Sequence, residues 1–163
     1  MKLCFLDAVE VGGGAVRGAA LVTDTRTRPL EFRVTDPVLV DELQRVLYGA
    51  VLDQHVIGEL CGLPLLEALR ETPDCVLVRK QDLLSLQGSR QEPVVWIGRD
   101  EESTQADGRP RVVLGYHDGG DAASLQRVRD VLRQVAEHYD LCEPYERIAA
   151  ALAQLQRDAA PAR

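Results

Sequence analysis

Residues 3–34 constrain the fold most strongly. Leu3, Phe5, Asp7, Val9 and Val11 alternate with Cys4, Leu6, Ala8 and Glu10, and both sets are apolar up to Asp7. A strand that is apolar on both faces belongs inside a sheet covered on both sides. Gly12-Gly13-Gly14 follows, where a tight turn can use positive φ. Residues 15–24 return as a second strand, residues 25–29 turn again, and Leu30, Phe32 and Val34 alternate along a third. Connections this short favour antiparallel pairing. The chain therefore opens as a three-stranded meander with one acid, Asp7, late in its first strand.

The pattern then becomes helical. Asp36-Pro37 reads as a helix N-cap followed by proline at the first helical position. Leu39, Leu43, Val46, Leu47, Ala50 and Val51 recur at helical spacing, continued by Val56, Ile57, Leu60 and Cys61, with Gly58 or Gly62 as breaks. Pro64 starts a short second piece, and Thr72-Pro73-Asp74 stops it. Cys75 to Val78 is a continuous apolar run of the kind a buried parallel strand shows. Residues 81–86 form one helical turn, 94–97 a strand, 98–110 an exposed mobile loop, and 111–116 a further strand. Asp121 caps an amphipathic helix with Leu125, Val128, Leu132, Val135 and Tyr139 on its inner stripe. Glu143-Pro144 opens the last helix. The order β-β-β-α(α)-β-(short α)-β-β-α-α predicts an α/β fold: a mixed sheet with helices on its faces. It forms one domain over residues 1–158, with 159–163 a frayed tail.

At 163 residues the chain is long enough for one substantial core, and its 45% hydrophobic and 28% charged content is that of an ordinary globular protein. With a net charge of −7 and only 4% aromatic residues, it has neither a general attraction to phosphate nor a stacking platform for bases. Nucleic-acid binding would need a local basic patch, for which Arg17, Arg26, Arg28 and Arg33 are the candidates. The bland reading makes them solvated strand ends. No apolar run is long enough to span a membrane, and no signal segment is recognisable, so the expected location is the cytoplasm. Cys4, Cys61, Cys75 and Cys142 are widely spaced, without a C-x-x-C pair, and read as reduced thiols rather than zinc ligands. The glycine cluster leads into a strand and not a helix, which argues against a phosphate loop.

This order of elements resembles the ribonuclease H-like superfamily, whose fold opens with a meander carrying an acid in its first strand. Within it, Leu63-Pro64-Leu65-Leu66-Glu67-Ala68-Leu69 followed by Pro73-Asp74-Cys75-Val76-Leu77-Val78 is similar to the helix and second active strand of endonuclease V. The resemblance covers roughly the first half of the chain. It implies a nuclease-like domain in which carboxylates from neighbouring strands hold magnesium or manganese, activating water and stabilising the leaving oxygen. Asp7 matches the first acid position. The second should follow Val78, where this chain has Arg79-Lys80-Gln81. The next acid is Asp82. Asp118 and Asp121 stand where a third would come, and Glu10 lies on the opposite face of the first strand from Asp7. The candidate catalytic set is thus Asp7, Asp82, Asp118 and Asp121, with Asp7, Asp82 and Asp118 as metal ligands.

Each of these acids also has a structural reading. Asp7 can be an inward acid paired with Arg17 or Arg33, Asp82 a cap on residues 83–86, and Asp118 and Asp121 turn and cap residues. If these hold, the same scaffold serves as a non-catalytic adaptor or accessory subunit of a larger assembly. Its partner would be another protein or a second copy, docked on the two terminal helices.

Overall fold

The computed structural model describes residues 1–104, 110–116 and 121–159. Among these residues seven strands form one mixed sheet. The opening meander is β1 (Leu3–Gly12), β2 (Ala15–Thr23) and β3 (Pro29–Val34). Strand β1 pairs antiparallel with β2, with Asp7 opposite Ala19, and β2 pairs antiparallel with β3. The turn between β1 and β2 uses positive φ at Gly12, Gly13 and Gly14 (99°, 62° and 74°), a region that disfavours side chains. On its other edge β1 pairs in parallel with β5 (Cys75–Val78), from Leu3 opposite Cys75 to Leu6 opposite Val78. Strand β5 pairs in parallel with β6 (Val94–Thr104), and β6 antiparallel with β7 (Pro110–Tyr116). The spatial order is β3-β2-β1-β5-β6-β7, which places β1 and β5 at the centre.

Both faces of β1 are buried, as its pattern requires. Leu3 and Phe5 join Leu77, Ile97 and the inner stripes of α3 (Ala122–Ala136) and α4 (Glu143–Ala159). Cys4 and Leu6 join Val76, Leu83 and Leu86 on the opposite face, beneath α2 (Leu63–Ala68). The cysteines are free, and burial pushes the Cys4 thiol up to about 12.

Several expectations fail locally. No helix starts at Asp36-Pro37. Val38–Leu39 instead form a short strand, β4, on β2, and the helix α1 spans Glu42–Tyr48. Its start is set by a reciprocal cap: the Asp41 carboxylate accepts from Gln44 N at 2.7 Å, and the Gln44 side chain accepts from Asp41 N at 3.0 Å. Gly58 and Gly62 do not break the helix. They lie inside a π-wound segment, Gln54–Gly62, and permit close approach: a Cβ on Gly62 would stand 2.9 Å from Leu86 Cδ1. The turn at 81–86 extends to a 3-10 segment, Gln81–Ser89. It is held by buried Gln87, whose Oε1 accepts from Val94 N at 2.7 Å. Residues 98–104, expected in a loop, continue β6. Residues 105–109 and the expected tail beyond 159 lie outside the described residues.

Candidate functional site

Asp7 points to the face of the sheet covered by α4 and is 1% exposed. The parallel register that ends with Leu6 opposite Val78 brings Arg79 and Lys80 alongside it. Residues 75, 77 and 79 alternate onto the same face as 3, 5 and 7, so Arg79 emerges beside the carboxylate. Its Nη2 lies 2.6 Å from Asp7 Oδ2. This contact is an ion pair by distance, since no aligned hydrogen bond reaches Oδ2. Asp7 Oδ1 accepts from Ala8 N at 2.9 Å and has Lys80 Nζ at 3.8 Å. Lys80 Nζ also donates to the Ala8 carbonyl. A buried acid thus meets two cations whose side chains remain 43% and 36% exposed. That arrangement offsets its desolvation without burying a second full charge.

Tyr145 of α4 closes the site from the helix side. Its ring meets Phe5 edge-on at 5.6 Å, and the Arg79 guanidinium lies over it, 5.3 Å from the ring centroid. The Tyr145 hydroxyl is buried without a hydrogen-bond partner among the described residues. Burial, reinforced by the charge of Asp7, holds it well above the usual phenol range. It therefore stays protonated and cannot act as a base near neutral pH.

The other candidate acids are placed elsewhere. Asp82 is exposed in the first turn of the 3-10 segment. It does not cap that segment, whose N-cap is Lys80. Asp121 caps α3: its carboxylate accepts from Ser124 N at 2.9 Å, Ser124 Oγ at 2.8 Å and Ala123 N at 3.4 Å. Those bonds, Ser124 Oγ first, hold its pKa below the usual carboxylate range. Asp118 lies outside the described residues. Glu10 is exposed near the end of β1. Among the described residues no three His, Cys, Asp or Glu side chains converge as a metal site would require.

Neither Arg17 nor Arg33 pairs with Asp7. Arg17 Nε donates to the Thr35 carbonyl at 2.9 Å, and Arg33 pairs with Glu31 at 2.7 Å. Arg28 pairs with Asp24. Three of the four arginines of the suggested basic patch are therefore occupied within the meander. Arg79 and Lys80 were visible as a departure from the expected acid. Their role follows only once β5 is set beside β1.

On the terminal helices the inner-stripe residues Val128, Leu132, Tyr145, Ile148 and Leu152 are in the core, which leaves their outer faces to solvent. A larger run of exposed apolar side chains lies along α1, whose residues include none that are buried. No described helix is long and apolar enough to cross a membrane. No protein-family model matches the chain, and no curated protein matches it.

Proposed function

We propose that this chain is a non-catalytic accessory or adaptor domain on a ribonuclease H-like scaffold. The sheet order, with Asp7 midway along the central strand β1, supports the scaffold. One observation carries the loss of catalysis: Arg79 and Lys80 stand against Asp7 where the second carboxylate of a metal pair would be needed. A divalent cation needs an oxygen-rich, net-negative cradle. Here one carboxylate oxygen faces a guanidinium and the other an amide N–H and an ammonium. Asp82 is exposed on the 3-10 segment and the Asp121 carboxylate is bonded to the start of α3. These residues do not fit magnesium or manganese, and no hydrolytic step is assigned to them.

The test is direct. Incubated with single-stranded DNA, duplex DNA and RNA in magnesium or manganese, the purified chain should show no cleavage that Asp7→Asn removes. Neither ion should raise its melting temperature, because a ligand bound only by the folded state would do so. Metal-dependent cutting abolished by Asp7→Asn, or a metal-induced rise in Tm lost in that variant, would restore the nuclease reading.

A further inference from the structure

Helix α1 is amphipathic in the inverted sense. The side with the few contacts to the protein carries Gln44, which is half-buried, Arg45, whose Nη2 would lie 3.4 Å from a Cβ on Gly14, and Tyr48, which stacks on His55 with ring centroids 4.3 Å apart. Its apolar side faces out. Leu43, Val46 and Leu47 are 66%, 71% and 72% exposed, and just before and after the helix in the chain Leu39 and Val51 are 71% and 57% exposed. These five side chains expose on the order of 500 Å², the upper end of what monomeric proteins leave open. That is over half of the ~800 Å² that each partner contributes to a stable interface. A seven-residue helix with none of its residues buried gains little from its own propensity, and a partner covering its apolar side would supply the missing packing.

We infer that this stripe is the docking surface for a basic amphipathic helix of a second protein. The inference rests on the non-catalytic reading above and gives it a surface and a partner chemistry. Charge selects the occupant. Between residues 36 and 60 the acids are Asp36, Asp41, Glu42, Asp53 and Glu59, all exposed, and the only basic residues are Arg45 and His55. Arg45 folds toward the β1–β2 turn, and His55 Nδ1 is engaged by Glu59 at 2.7 Å. The rim is therefore acidic at both ends of the stripe. Two copies face to face would oppose like charges, and an anionic lipid surface would repel the same rim. A helix with apolar residues at i, i+3, i+4 and i+7 and lysine or arginine on both flanks matches shape and charge together.

The test uses the full chain and two synthetic helical peptides sharing one leucine face, one flanked by lysines and the other by glutamates. Fluorescence anisotropy should show the lysine peptide binding at least about tenfold more tightly at low salt, with the gap narrowing at high salt. Glu42→Gln with Asp53→Asn should narrow the gap in the same way. Leu47→Asp should abolish binding with little change in Tm, since Leu47 packs on nothing in the core. Equal binding of the two peptides, binding of neither, or insensitivity to Leu47→Asp overturns the inference. So does sedimentation of the chain alone as a dimer that Leu47→Asp dissociates, or binding to anionic phospholipid vesicles. None of these variants touches Asp7, so failure here leaves the non-catalytic reading standing on its own metal and cleavage tests.

Discussion

Arg79→Met should destabilise the protein more than Asp7→Asn, although the two residues form one ion pair. The reason is their unequal burial. The Asp7 side chain is fully buried, whereas that of Arg79 is 43% exposed. Stripping one partner from a buried pair costs about 3–5 kcal/mol when the remaining charge has no relief. Without Arg79, the Asp7 carboxylate keeps the Ala8 N–H and Lys80 at 3.8 Å, which lowers the cost to about 2–3 kcal/mol. Without the carboxylate charge, Arg79 can turn to water while asparagine keeps the shape and one acceptor, so Asp7→Asn should cost about 1 kcal/mol. In the double variant nothing charged is left buried at position 7. Its loss should therefore be smaller than that of Arg79→Met alone, a coupling of about 1–2 kcal/mol. Urea unfolding of the four proteins at pH 7 measures all three quantities. For a chain of this size Arg79→Met should also lower Tm by roughly 5–10 °C. Additive single losses, or an Asp7→Asn loss as large as that of Arg79→Met, would show that Asp7 is not held by Arg79. A gain in stability on Asp7→Asn would point instead to an acid retained at a stability cost for another purpose.

Two further outcomes follow from close packing and from the meander. Gly18→Ala would bring a Cβ to 2.8 Å from both Cys61 Cβ and Leu65 Cδ1, so it should cost about 1–3 kcal/mol in urea unfolding through overpacking. A loss below half a kilocalorie would mean that α2 and the π-wound segment move aside freely. Glu31 accepts from Glu71 N at 2.8 Å, from Arg33 Nε at 2.7 Å and from Arg70 N at 3.0 Å, and these bonds, Glu71 N first, hold its carboxyl below the usual range. A depressed folded-state pKa adds stability above the unfolded value of about 4.3 that is lost as pH falls through the folded pKa. Glu31→Gln should therefore cost about 1 kcal/mol at pH 7 and progressively less below pH 4. A cost that is flat with pH would contradict this.

Sequence and structure divide at identifiable residues. The alternation of Leu3, Phe5 and Asp7, the three glycines at 12–14, the apolar run 75–78 and the cap at Asp121 act locally, and each gave an element where expected. The start of α1 was also local, but two signals competed. Asp36-Pro37 resembles a helix start, while the reciprocal Asp41–Gln44 cap and the pairing of Val38 with Val16 won. Periodicity found the stripe at Leu43, Val46 and Leu47 without its direction, because spacing says only that apolar side chains share a face. Which face the protein covers depends on contacts with Gly14 and His55, remote in the chain or beyond the helix end.

The site shows the same division. Local pattern is enough to put Asp7 in a buried strand, though that strand runs on to Gly12 rather than ending near the acid, and to show that no acid directly follows Val78. What stands in place of that acid is set by long-range pairing, because β1 and β5 join residues 72 positions apart and no local pattern encodes their register. A buried charge must be balanced by whatever the fold brings to it. Here the fold brings a guanidinium and an ammonium.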